Sequence, residues 1–112
     1  MKISYEQVAD VTVLRISGKI TLGDSSKKFE NEIRELVKNG HKRILLDMKE
    51  VTYIDQSGIG QLVSAFTTVS NSGGWLKLLN LCKRVLDLMV ITKLYTVFDV
   101  FDDEAKAVRS FH

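Results

Sequence analysis

Residues 43–60 read R-I-L-L-D-M-K-E-V-T-Y-I-D-Q-S-G-I-G, and the fold turns on them. Ile44, Leu45 and Leu46 are an unbroken apolar run. Such a run predicts a strand over Arg43–Met48 that is covered on both faces, as in the centre of a parallel sheet. Glu50 to Asp55 reads as a connection carrying Val51, Tyr53 and Ile54. From Ser57 the spacing changes: Ile59, Leu62, Val63 and Phe66 fall at i, i+3, i+4 and i+7, which predicts a helix to about Ser70 with these four as its buried stripe. A buried strand delivered into an amphipathic helix is half of a βα repeat.

Working outward, the pattern recurs. On the N-terminal side, Ile3–Val8 and Val11–Ser17 predict a hairpin turning at Ala9-Asp10. Gly18 ends its second strand, and Lys19–Ser25 is a loop. Asp24 or Ser25 caps a helix from about Ser26 to Asn39, with Phe29, Ile33, Leu36 and Val37 as its apolar stripe. Asn39-Gly40 closes that helix. On the C-terminal side, Asn71-Ser72-Gly73-Gly74 is a stop and Trp75–Leu81 a strand. A helix follows over about Lys83–Thr92, burying Val85, Leu86 and Met89. Thr96–Phe101 is a last strand, and a short helix over Asp102–Ser110 packs Ala105 and Val108. The order β-β-α-β-α-β-α-β-α predicts a small α/β fold. It has a mixed, mostly parallel sheet, an antiparallel N-terminal hairpin and about four helices. Residues 1–112 form one domain.

Composition excludes several classes. The net charge is only +2, and Lys27, Lys28, Arg34, Lys38, Lys42 and Arg43 are interleaved with Glu30, Glu32 and Glu35, so neither nucleic acid nor a membrane surface is indicated. Asp99, Asp102, Asp103 and Glu104 read as a strand end and helix start, where carboxylates complement the macrodipole. One cysteine, Cys82, permits no internal disulfide and suits a reducing cytosol. No signal peptide is evident, and no stretch approaches the roughly 20 apolar residues of a membrane span. With no apolar stripe left over, a cytoplasmic monomer without a deep ligand pocket is expected.

Four chemistries fail on the residues. Gly18-Lys-Ile-Thr-Leu-Gly23 has loop glycines, but Asp24 and Ser25 follow where a phosphate-binding loop needs Lys and Ser/Thr. Asp55-Gln56-Ser57-Gly58-Ile59-Gly60 lacks the leading glycine of a nucleophile elbow. Its only candidate bases are His41, in a loop, and His112, the last residue. One Cys and two remote His give no zinc spacing. Asp47 and Asp55 lie near the end of the central strand, yet one alternates within a strand and the other reads as a helix cap. No catalytic residue, metal or cofactor is expected. What stands out is a loop leading into a helix whose free N–H groups favour a nearby anion. Gly58 and Gly60 leave that backbone open to close approach. Ser57 as a capping hydroxyl is the plainer alternative.

The run Ile44–Gly60 resembles the core of STAS domains, and is most similar to bacterial anti-sigma-factor antagonists. Their pattern is an apolar strand ending in Asp, a short connection, then Asp-Ser-Ser/Thr-Gly-Leu/Ile-Gly. Leu14-Arg15-Ile16-Ser17-Gly18-Lys19-Ile20 resembles the family's second strand and turn. The Gly73-Gly74 turn with the Trp75–Leu81 strand, Leu86-Asp87-Leu88 and Leu94-Tyr95-Thr96-Val97-Phe98 extend the likeness over the whole chain. The resemblance implies partner switching. Such a protein binds an anti-sigma factor, a kinase of the GHKL type, and thereby frees a sigma factor. The kinase phosphorylates the serine after the motif aspartate, and a phosphatase reverses it. Phosphate adds close to two negative charges, enough to disrupt a fitted interface.

This chain departs from the pattern at the acceptor. Gln56 stands there, and an amide takes no phosphoryl group; Ser57 matches the second Ser/Thr. Lys19 occupies a place where acidic residues are common. The partner face implied is Asp55, Gln56, Ser57, Gly58 and Ile59 with Lys19, Ile20, Thr21, Leu22, Gly23 and Asp24. For Ile59 a core role competes, and for the loop the structural and contact readings weigh about equally. Two alternatives stay open: a stand-alone STAS subunit of a sensory or transporter complex, and a small nucleotide-binding protein.

Overall fold

The structure, a computed structural model, describes residues 1–21 and 23–112, with side chains for all of these except 24–26. The elements are β1 (Lys2–Val8), β2 (Val11–Ile20), α1 (Asp24–Lys38), β3 (Arg43–Ile54), α2 (Gln56–Asn71), β4 (Trp75–Leu79), α3 (Lys83–Ile91), a 3-10 turn (Leu94–Thr96), β5 (Val100–Phe101) and α4 (Glu104–Arg109). This is the predicted order, with the 3-10 turn added. The strands lie in sequence order, β1-β2-β3-β4-β5. β1 and β2 are antiparallel and every later pair is parallel.

Sequence order in the sheet has a consequence. Right-handed crossovers that always step the same way put their helices on one side. Accordingly α1, α2 and α3 pack on one face around Leu14, Leu46, Phe29, Ile33, Leu62, Val85 and Met89. The other face holds a smaller cluster, Val11, Val13, Leu45 and Leu79, under Ala107 of α4. Because the order never reverses, the sheet has no switch point of the kind that opens a ligand crevice in doubly wound folds. Ile44, Leu45 and Leu46 are fully buried, as a strand covered on both sides requires.

Several expected boundaries move. The supposed connection after Met48 is strand: β3 continues to Ile54, with Val51 and Ile54 buried and Lys49, Glu50 and Thr52 exposed. β2 likewise does not stop at Gly18. That residue takes φ +97 and the register with β3 shifts between Gly18 and Lys19, so a bulge carries the strand on to Ile20. Lys19 and Ile20 are therefore strand residues, not loop. α1 starts at Asp24 behind Gly23 in the capping position, one residue before Asp24 and two before Ser25, the expected caps; Leu22 and the side chains of Asp24 and Ser25 lie outside the described residues. β4 ends at Leu79, and Thr96 belongs to the 3-10 turn, which leaves β5 only Val100 and Phe101. In α4 it is Ala107, not Ala105, that is buried.

The apolar residues are not all consumed by the core. Leu86 was expected inside α3, yet it is 41% exposed, and Val90, Ile91, Tyr95 and Val97 join it on the surface. The ground for expecting no leftover apolar stripe is thereby removed.

Candidate functional site

The C-terminal end of β3 delivers the chain into α2 at Asp55. The aspartate is the N-cap: its Oδ1 accepts the Gly58 N–H at 2.8 Å, and its carbonyl accepts the Ile59 N–H at 3.0 Å. The capping role thus falls to Asp55, and Ser57 is the second helical residue, exposed, with its hydroxyl outside the cap. Gln56, the first helical residue, is exposed as well.

Gly58 sets how close this helix comes to the sheet. A Cβ there would lie 2.2 Å from the Ile20 carbonyl oxygen and 2.5 Å from Ile54 Cγ1, well inside any real contact. The glycine therefore serves an approach within the protein itself, between the start of α2 and the end of β2, and not an approach by another molecule. Gly60, by contrast, has open space at its Cβ position. One turn on, Gln61 Nε2 donates to the Thr21 carbonyl at 2.9 Å, a second tie between the same two segments.

The expected face is thus brought together, but not all of it faces outward. Lys19, Gly23, Gln56 and Ser57 are exposed, and Thr21 and Asp55 are half-buried. Ile20, Gly58 and Ile59 are buried, Ile20 completely, so these three support the surface from beneath and do not form it. Of the expected loop residues, Leu22 and the Asp24 side chain are outside the described residues.

Sequence reasoning missed the neighbour on the other side. The start of α3 brings Lys83 and Arg84 to a broad groove shared with Tyr53, Gln56 and Asp87. Arg84 lies over the Tyr53 ring at 4.5 Å, a cation–π contact. The signal available was weak: Val90 and Ile91 lie off the Val85–Met89 stripe, so α3 had more apolar residues than one buried face takes.

The other candidate groups are engaged elsewhere. Asp47, 8% exposed, pairs with Arg15 at 2.7 Å and accepts the Lys49 N–H at 3.1 Å and Asn80 Nδ2 at 3.3 Å. Arg15 is also held by Glu104 at 2.7 Å and Glu6 at 3.1 Å. The bond from Glu104 is the largest influence raising the guanidinium pKa above its ordinary value; burial opposes the rise, and Asp47 and Glu6 add to it. Asp103 caps α4 through the Lys106 N–H at 3.1 Å. His41 meets the Thr12 hydroxyl at 2.8 Å and His112 meets Asp10 at 2.7 Å. Both histidines thus bond to the β1–β2 turn end of the sheet, opposite Ser57, and cannot act as its base. Among the described residues no group of His, Cys, Asp and Glu is arranged to hold a metal ion, and no helix is long and apolar enough to cross a membrane. The arrangement presents polar side chains on a fixed backbone.

Known proteins share this build. The STAS domain family model matches residues 2–107. The anti-sigma-B factor antagonist of Bacillus subtilis is 42% identical over 100 residues, covering 89% of this chain and 90% of that protein. The crystal structure of TM1081 from Thermotoga maritima superposes with a TM-score of 0.89 at 22% identity, over 97% of this chain and 93% of that one. The Bacillus cell fate determinant SpoIIAA, in its phosphorylated form, does so with a TM-score of 0.76 at 17% identity, over 99% and 100%. Matched by that family model over nearly its whole length and 42% identical to an anti-sigma factor antagonist, the chain belongs to the STAS domain family.

Proposed function

We propose that this protein is an anti-sigma factor antagonist, a regulatory binding protein and not an enzyme, whose phosphorylation switch at the usual position is lost. It acts in the cytoplasm by binding an anti-sigma factor kinase of the GHKL type and so freeing a sigma factor. The observation that carries this is the Gln56–Ser57 pair, exposed on a capped helix start that is pinned to the end of β2. The contact surface is Lys19, Thr21, Gly23, Gln56 and Ser57. An amide at position 56 keeps the surface neutral where a phosphate would set about two negative charges. The protein therefore stays competent to bind in the presence of ATP, and a phosphatase has nothing to reverse.

The test uses an anti-sigma-B factor, the partner named by the 42% identical Bacillus subtilis relative. The protein is incubated with it, ATP and magnesium, and then mapped by phosphopeptide mass spectrometry while complex formation is followed by gel filtration. The expected result is a stable complex with no phosphate on either residue. Gln56→Ser should restore ATP-dependent phosphorylation and release. Stoichiometric phosphate on Ser57 of the unaltered protein would instead show that the acceptor has moved by one residue. No complex with or without ATP would count against the antagonist role for this kinase.

A further inference from the structure

The start of α3 breaks a local rule. A helix favours carboxylates in its first turn, yet α3 opens with Lys83 and Arg84 and has no acidic residue there. Both cations are exposed. Arg15, Arg34 and Arg43 are each paired with a carboxylate. Arg84 has the Tyr53 ring as its neighbour instead and, like Lys83, makes no ion pair among the described residues. Asp87 lines the same groove without pairing with either; a carboxylate four residues after a lysine is the weaker order on a helix. Asp55 is already committed to the Gly58 N–H. A guanidinium stacked by its flat face, as Arg84 is on Tyr53, keeps its N–H edge available and loses less freedom when a carboxylate binds it.

Further along, the groove is apolar. Arg84, Leu88 and Ile91 fall at i, i+4 and i+7 on one side of α3, and all three line it. Leu88 is half-buried, and Ile91, at 76%, is the most exposed large apolar side chain among the described residues. Seven residues of helix set Arg84 and Ile91 about 10 Å apart. Gln56 belongs both to this groove and to the contact surface proposed above, so the two surfaces are continuous.

We propose that a segment of the anti-sigma factor continues past Gln56 into this groove, setting a carboxylate on Lys83 and Arg84 and an apolar side chain on Leu88 and Ile91. The carboxylate follows from charge: two exposed cations and the positive end of the helix dipole meet it together. The apolar group follows from Ile91, whose side chain is in solvent in the protein alone. This inference rests on the antagonist reading and extends its surface to a second helix.

The test is isothermal titration of an anti-sigma-B factor into the full chain and its variants, without ATP. Thermal melts confirm that each variant is folded. Arg84→Ala should weaken binding roughly 10–100-fold, the worth of a hydrogen bond to a charged group, and should flatten the dependence on salt. Ile91→Ser should weaken it about tenfold. Val90→Ser changes an exposed residue of the same helix that does not line the groove, and should leave affinity unchanged. Full affinity in folded Arg84→Ala and Ile91→Ser would overturn the groove while leaving the antagonist reading standing. An equal loss in Val90→Ser would also overturn it, by placing the contact on the outer face of α3. A protein that is dimeric alone and made monomeric by Ile91→Ser would overturn it too, with a second copy as the occupant. No binding by the unaltered protein would overturn the antagonist reading for this kinase, and the groove with it.

Discussion

On the sheet face that carries Leu14, Leu46 and Leu78, three helices close a continuous apolar core, and among the described residues no charged side chain is buried there. On the opposite face Val11, Val13 and Leu45 are covered by α4, a helix of six residues, and toward the far ends of the strands that apolar patch gives way to Arg15 and Asp47. The first face draws its stability from area: each fully buried large aliphatic side chain contributes about 1.5–3 kcal/mol. The second has little area, and a paired charge network takes over where the apolar cover ends. Arg15 joins β1, β2, β3 and α4 through Glu6, Asp47 and Glu104. Its raised pKa means that its contribution is complete below the unfolded-state value and lost only as pH rises through the folded one. Both values lie far above neutrality, so Arg15 itself lends this face no pH dependence in the working range.

Truncations on the two faces should differ most. Leu46→Ala should cost about 3–5 kcal/mol, because a core closed by three helices cannot collapse around the cavity; Leu45→Ala, under the short α4, should cost about 2–3 kcal/mol. Urea unfolding of both variants checks this, and equal losses would break the contrast. Next comes backbone-level fit on the helical side. Gly58→Ala forces a carbon against the Ile20 carbonyl and should cost about 2–3 kcal/mol, whereas Gly60→Ala has open space and should gain about 0.5–1 kcal/mol. Thermal melts of the pair give opposite signs if the contact is as described.

On the charged side, Asp47→Ala leaves Arg15 without one of its three partners and removes an acceptor from Lys49 and Asn80, and should cost about 2 kcal/mol. Asp55→Ala removes one cap and should cost about 1 kcal/mol, measured by the same denaturant titration. The smallest effect is expected at the rim. Glu6 is 56% exposed at its side chain, so Glu6→Gln should change stability by less than about 0.5 kcal/mol and by even less in high salt.

The sequence made the helical face legible and the charged face obscure, for a physical reason. Stripes such as Phe29, Ile33 and Leu36 repeat with the helix and announce themselves. A network such as Arg15–Asp47–Glu104 joins positions 32 and 89 residues apart and has no period to read. The boundaries missed share another cause. Glu50–Asp55 looked like a connection because β3 changes there from two-sided burial to one-sided alternation. Gly18 looked like a strand end because glycine marks a bulge and a stop alike. At the candidate site the motif was legible, while its orientation was not. Nothing in D-Q-S-G-I-G says that Gly58 faces inward and Gln56 outward, or that Lys83 and Arg84 arrive beside them from another helix.

The fit of Gly58 against Ile20 also divides the labour of change along three consecutive residues. Position 58 tolerates no side chain, so the corner that joins sheet and helix is fixed. Positions 56 and 57 stand on that fixed corner with their side chains in solvent. Their chemistry can change without moving the scaffold. A surface built this way can exchange its polar groups by single point substitutions while its backbone keeps its shape.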